Sequence, residues 1–323
     1  MLAELSGTWE GQGFNLIARP EASGKSPLFL ELNQTFETLT FNAISSSIPN
    51  RGDAVPDIEL FGLTYLQKVV DLVTQGALHI EPGIWVHIPS GDAGGNQRVA
   101  RMGNIPHGNS LLAQGIALLV DPVPAGFDPD KTAPATTAPF HQNTPMPLPG
   151  TPGAFKPFNL SDLSPAAVDF RTPVGNPPNG QIPATILGLL LQDVINDPVK
   201  LLTAALNGQV IEKMAVIEIS TIASIPVVDP ANPAKSIPKN FPGGGGGIEN
   251  IPFLQTNADA ATMFATFWIE EIQGPTPDTN FFQLQYVQTV FLNFPIIAPP
   301  ATPVPFTWPH VSVATLRKVF GGQ

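Results

Sequence analysis

Between Leu78 and Ile88 the side chains alternate without a break. Leu78, Ile80, Pro82, Ile84, Val86 and Ile88 share one side of an extended chain; His79, Glu81, Gly83, Trp85 and His87 share the other. A period of two is the signature of a strand and not of a helix. Pro82 removes one backbone donor, which suggests an edge or a bulge at that point. A strand needs partners, and the chain supplies them. Leu5–Ile17, Phe29–Phe41, Asp57–Val70, Arg98–Met102, Ser110–Val120, Val210–Ile225, Thr262–Ile272, Phe281–Phe294 and Pro309–Phe320 all read as β-segments, the third with room for a short helical piece. About ten such segments, mostly sequential and hairpin-linked, predict a mainly β fold: an antiparallel up-and-down β-barrel of the lipocalin and fatty-acid-binding type. Barrels with more than about eight strands can enclose a ligand cavity.

Two regions interrupt the pattern. From Asp121 to about Pro183 the chain is dense in Pro, Ala, Thr and Gly and shows little periodicity. It predicts an irregular Pro-rich excursion lying over the body. Ile182 to Asn207 is helical in character: Asp197-Pro198 is an N-cap and N1 pair, Leu201, Leu202, Ala205 and Leu206 form a stripe, and Asn207-Gly208 ends it. Two short helices broken at Asp197 are expected. Pro226 to Gly247 reads as a loop ending in five glycines, Gly243 to Gly247, which mark either a mobile tip or a close backbone approach. The whole, 1–323, is expected to be one barrel domain whose mouth is covered by a Pro-rich and helical insertion at 119–257.

Composition narrows the chemistry. Charged residues are only 13% of the chain and hydrophobic ones 43%, which allows a large core. The net charge of −11 argues against nucleic acid or an anionic membrane surface as partner. There is no cysteine, so thiolate ligands, iron–sulfur clusters, covalent haem attachment and a Cys nucleophile are excluded. No signal peptide is visible at the N-terminus, and the longest apolar run, Ile186 to Leu191, is far short of a membrane span. A cytoplasmic location is the expectation.

Four of the five histidines carry most of the candidate chemistry. On the last strand His310, Ser312 and Ala314 share one face, so two very small side chains leave volume beside an imidazole. His310 is either a hydrogen-bonded strand histidine or a metal ligand, neutral imidazole being the commonest one. His107 sits in a Gly/Pro/Asn-rich loop, from which it either reaches a pocket mouth or stands in solvent. His79 and His87 share a strand face with Glu81, but eight residues span roughly 26 Å, so one ion cannot touch both. Arg51, Arg98 and Arg101 read as surface charges, with pairing to an anionic cofactor group as the other option. The glycine run lacks the Lys-Ser/Thr of a phosphate loop, and no Gly-x-Ser-x-Gly elbow occurs.

Several segments then line up with a known family. Leu5-Ser6-Gly7-Thr8-Trp9-Glu10-Gly11-Gln12-Gly13, Leu63-Thr64-Tyr65-Leu66-Gln67, Leu78-His79-Ile80-Glu81-Pro82-Gly83-Ile84-Trp85, Leu111-Leu112-Ala113-Gln114-Gly115 and the closing Pro309–Lys318 strand resemble, in order, strands of the nitrobindins. These are ten-stranded haem-binding β-barrels of the fatty-acid-binding-protein type. The resemblance covers roughly 5–118 and 262–320 and leaves the intervening stretch, about 119–257, without a counterpart. It implies a barrel whose bottom is closed by Trp9. It also implies non-covalent haem b with His310 as the iron ligand, and Ser312, Ala314, Trp308 and His79 around the cofactor. His107 would be the catalytic group over the other face of the haem. A small diatomic or peroxide ligand is then the expected partner, with peroxidase-like or NO/peroxynitrite chemistry. The alternative is a haem-free carrier or cyclase for an apolar small molecule.

Overall fold

The computed structural model describes residues 2–21, 28–89, 92–133, 135–141, 144–147, 158–162, 169, 171–176, 180–229, 231–255, 258–294 and 306–319. Ten strands form a ring: β1 (Gly7–Arg19), β2 (Phe29–Ala43), β3 (Ile58–Asp71), β4 (Ala77–His87), β5 (Gln97–Ile105), β6 (Asn109–Val120), β7 (Ile211–Ser220), β8 (Asp259–Ile272), β9 (Phe281–Asn293) and β10 (Phe306–Val319). Each is antiparallel to the next, and β10 returns to β1 over Thr8↔Val319 to Ile17↔His310, which closes the barrel and removes its edges.

The alternation read from the sequence is the alternation of the wall. Along β1, Trp9 points in; along β2, Leu39 and Phe41; along β3, Leu63 and Tyr65; along β8, Met263, Ala265, Phe267 and Ile269. One end is closed as expected. Trp9 is fully buried, donates its indole N–H to the carbonyl of Leu5 at 2.7 Å, and packs with Leu2 and Leu5 of α1 (Leu2–Leu5). The opposite end, where β1 ends and β10 begins, is the mouth.

Pro82 sits where its missing donor costs least. It pairs with Leu66 of β3, and the ladder from β4 to β5 begins one residue later, at Gly83↔Gly103. The apolar face of β4 points outward and the histidine-bearing face inward. Ile80 is 43% exposed while Glu81 is fully buried.

Two of the five glycines, Gly244 and Gly246, make a close backbone approach. Near the mouth β6 changes partner: Gln114 to Val120 pair with β7, whereas Asn109 to Ala113 pair with a separate short strand, Gly246–Asn250. Gly246 has φ +124°, and a Cβ there would stand 2.3 Å from the carbonyl oxygen of Leu112. Only glycine allows this contact. Most of the 226–247 stretch, expected as a loop, belongs to the hairpin Ser224–Asp229/Asn232–Asn240, which packs through Ile225 and Val227 against Phe264 and Phe291 on the outer wall.

The 119–257 stretch differs from the expected cover over the mouth. It contributes a stave of the ring, β7, and its helices lie on the outside of the wall. Helices α2 (Leu191–Asn196) and α3 (Lys200–Ala205) are split at Asp197, as the sequence predicts. Their buried residues Leu191, Val194, Ile195, Leu201 and Leu202 pack against Phe14, Leu16, Val287, Val311 and Val313, which are the outward faces of β1, β9 and β10. These strands are apolar on their outer side, so the excursion buries surface that would otherwise face water. Among the described residues no helix is long and apolar enough to cross a membrane.

Candidate functional site

The barrel divides into a filled floor and a histidine-lined mouth. In the floor Glu81 is fully buried. One of its oxygens accepts from Arg101 Nη2 at 2.8 Å and from the hydroxyl of Tyr65; the other lies 3.3 Å from His79 Nε2. Burial alone would raise this carboxyl. The Arg101 charge and the hydrogen bonds from His79 and Tyr65 outweigh it and hold the group at about 2, so Glu81 is ionised. Arg101 also donates to Gln288 at 2.7 Å and stands near the rings of Tyr65, Trp85 and Phe267.

A second buried carboxyl behaves in the opposite way. Glu37 accepts from Tyr286 at 2.6 Å, from Gln67 at 3.2 Å and from Thr35 at 3.3 Å. No cation pairs with it among these contacts, and burial raises its pKa against the pull of those bonds. Gly13 and Gly103 make room for these groups. A Cβ on Gly13 would meet Glu37 at 2.8 Å, and one on Gly103 would meet Glu81 at 2.2 Å. Between the two networks is a space of about 10 Å³, lined by Tyr65, Gln67, Trp85, Arg101, Tyr286 and Gln288 among others. It has room for about one water.

The mouth collects the predicted residues on two walls. Trp308, His310, Ser312 and Ala314 share the inward face of β10, with Ser312 Oγ 3.5 Å from His310 Nε2. Ala314 lies deepest, opposite Tyr286 and Gly13. Burial first, then the charges of His79 and His107, push the His310 imidazole down to about 4, so it is neutral at pH 7. Trp308 is only 4% exposed, yet its indole N–H has no partner among the described residues, an uncommon state for a buried donor.

Across the ring, four strands away from β10, stand His79 on β4 and His107 on the β5–β6 turn. Their rings are 5.9 Å apart and tilted by 39°. His107 hydrogen-bonds the backbone of Leu78. Its pKa lies below the usual value, first from burial and then from the charge of His79. His87 is at the far end of β4, paired with Asp92 at 2.9 Å, and takes no part in the mouth. Among the described residues no three His, Asp or Glu side chains converge as a metal-binding group.

Sequence reasoning missed the floor. Arg101 is neither a surface charge nor a mouth residue but half of a buried ion pair, 3% exposed in its side chain. Arg51 does pair at the surface, with Asp57, and Arg98 stands over Gly243. The available signal was parity. Arg101 shares a face with Val99 and Gly103 as Glu81 does with Gly83 and Trp85, and the Gly83↔Gly103 register sets the two faces side by side.

No family model matches the chain, and no curated protein matches it. Among solved structures, the chain is similar to the crystal structure of Rv2717c from M. tuberculosis, at a TM-score of 0.36 and 12% identity, over 99% of this chain and 95% of that one. A likeness at that level carries no argument about activity. The barrel stands on its own strand pairing.

Proposed function

We propose that the mouth binds haem b non-covalently, with His310 as the iron ligand. The observation that carries this reading is the pairing, on one inward face, of a neutral imidazole with a buried indole N–H that lacks a partner among the described residues. Iron takes the neutral form of histidine. The Trp308 N–H suits an acceptor oxygen on a bound group, such as a propionate. Ser312 and Ala314 keep the space beside the imidazole small-walled, and the filled floor confines any ligand to the mouth. When bound, the iron supplies a centre for a small diatomic or peroxide ligand. His79 and His107, on the other wall, would hydrogen-bond such a ligand. Peroxidase-like or NO/peroxynitrite chemistry is the reaction class this arrangement fits.

The second reading, a haem-free carrier or cyclase for an apolar molecule, draws less support. The floor holds an ion pair and a further carboxyl, with space for about one water rather than a lipid chain. Titration of the purified protein with haem tests the proposal. We expect a saturable Soret band, lost or shifted in His310→Ala and weakened in Trp308→Phe. The proposal fails if no such band appears, or if it is unchanged in His310→Ala.

A further inference from the structure

We infer that His79 and Glu81 form a proton-handling dyad at the mouth, in which Glu81 fixes the His79 tautomer so that Nδ1 takes the proton of a peroxide, ROOH, held between the two walls. The peroxide as ligand rests on the haem reading above; the dyad itself does not.

The argument starts from Glu81. It is fully buried, and Arg101 and Tyr65 together hold one of its oxygens. An ionised carboxylate only accepts, so the Nε2 of His79, 3.3 Å from the other oxygen, carries the proton. That leaves Nδ1 as the lone-pair nitrogen. An imidazole backed by a buried carboxylate is the arrangement general acid–base catalysis uses, because the carboxylate both orients the ring and stabilises its protonated form.

His107 is built for a different part. Its fixed contact is a backbone group of Leu78, which brings no negative charge, and the charge of His79 disfavours a second one beside it. The two rings therefore divide the work: His79 takes the proton and His107 stays neutral as a hydrogen-bonding neighbour. The step is a simple transfer. The O–H bond of ROOH breaks, the N–H bond at His79 Nδ1 forms, and ROO⁻ and an imidazolium remain. The ionisable groups around His79 are Glu81, Glu37 and Arg101 below, and His107 and His310 at its own level. Glu81 is thus a positioning residue, and its burial under His79 is a feature a surface histidine would not need.

Nitrogen-15 NMR of the histidine rings in the unmodified protein, without haem, tests the dyad directly. We expect His79 to carry its proton on Nε2; a proton on Nδ1 overturns the inference, whatever haem does. In the haem-loaded protein, His79→Gln should slow hydrogen peroxide binding by about 100-fold, the low end for general acid–base groups, and flatten its pH profile. His107→Gln should slow it less. An unchanged rate in His79→Gln counts against the proposal. A missing Soret band on haem titration sinks the haem reading and leaves the tautomer result standing.

Discussion

Gly103 of β5 lies where a Cβ would stand 2.2 Å from Oε1 of Glu81 and 2.5 Å from the Tyr65 hydroxyl. The absent side chain is what allows a buried carboxylate to reach both its arginine and its tyrosine. Neither neighbour can retreat, because both are held by Arg101. Gly103→Ala should therefore destabilise the fold by about 1–3 kcal/mol, the usual cost of overpacking. The urea midpoint measures it; a midpoint equal to that of the parent protein means the floor is looser than described.

Removing the cation below His79 should cost more than removing the pair. Arg101→Met leaves Glu81 buried without its counter-charge, a loss of about 3–5 kcal/mol at neutral pH. The double change Arg101→Met/Glu81→Leu should recover part of it. The pH dependence has a definite sign. Glu81 titrates at about 2 in the folded chain, well below its ordinary value of 4.5. Its stabilising contribution is present above pH 4.5 and is lost as the pH falls from there toward 2. Melting curves at stepped acid pH should show that limb in the parent protein and a weaker one in Glu81→Gln.

Glu270 predicts the opposite slope. It lies on the outward face of β8, accepts from Gln283 at 2.9 Å, and leaves Oε1 without a partner among the described residues. Burial raises it to about 8. The folded state thus holds a proton that the unfolded chain has released, and stability falls as the pH rises from 4.5 through about 8. Glu270→Gln should flatten that decline, so the variant gains on the parent between pH 5 and pH 8 in the same melting assay. Parallel curves would show that the carboxyl is already ionised.

The glycine run separates two kinds of position. Gly246→Ala combines a positive φ with a contact to the Leu112 carbonyl, and should loosen the short strand beside β6. Gly245→Ala meets nothing within 4 Å and should be neutral, within about 0.5 kcal/mol. Hydrogen exchange at the amides of 109–113 distinguishes them. Equal protection in both variants would contradict the strand pairing.

The strands were legible because side-chain parity survives in the sequence wherever a wall has one dry face. Leu78–Ile88 shows it most plainly. What parity could not say was which face is inside. In β4 the apolar side looks outward and the side with His79 and Glu81 looks in, since the interior is held by ion pairing as well as by burial. The outward faces of β1, β9 and β10 are as apolar as a core because the chain's own helices cover them, a contact between segments more than eighty residues apart. Local pattern carries no trace of such a contact. His310, Ser312, Ala314 and Trp308 could be grouped because they sit on one strand. Arg101 and Glu37 could not, since their partners arrive from other strands whose register was unknown.

The change of partner along β6 has a consequence for how the molecule is assembled. The lower half of β6 meets β7 about a hundred residues further along the chain, but its upper half needs Gly246–Asn250, which returns only after the chain has travelled out to the hairpin and back. Closing that longer detour is the slower event. The rim beside the His107 turn should then gain protection after the β6–β7 ladder in pulse-labelled refolding, and the β1–β10 seam, which joins the two ends of the chain, should be the last to latch.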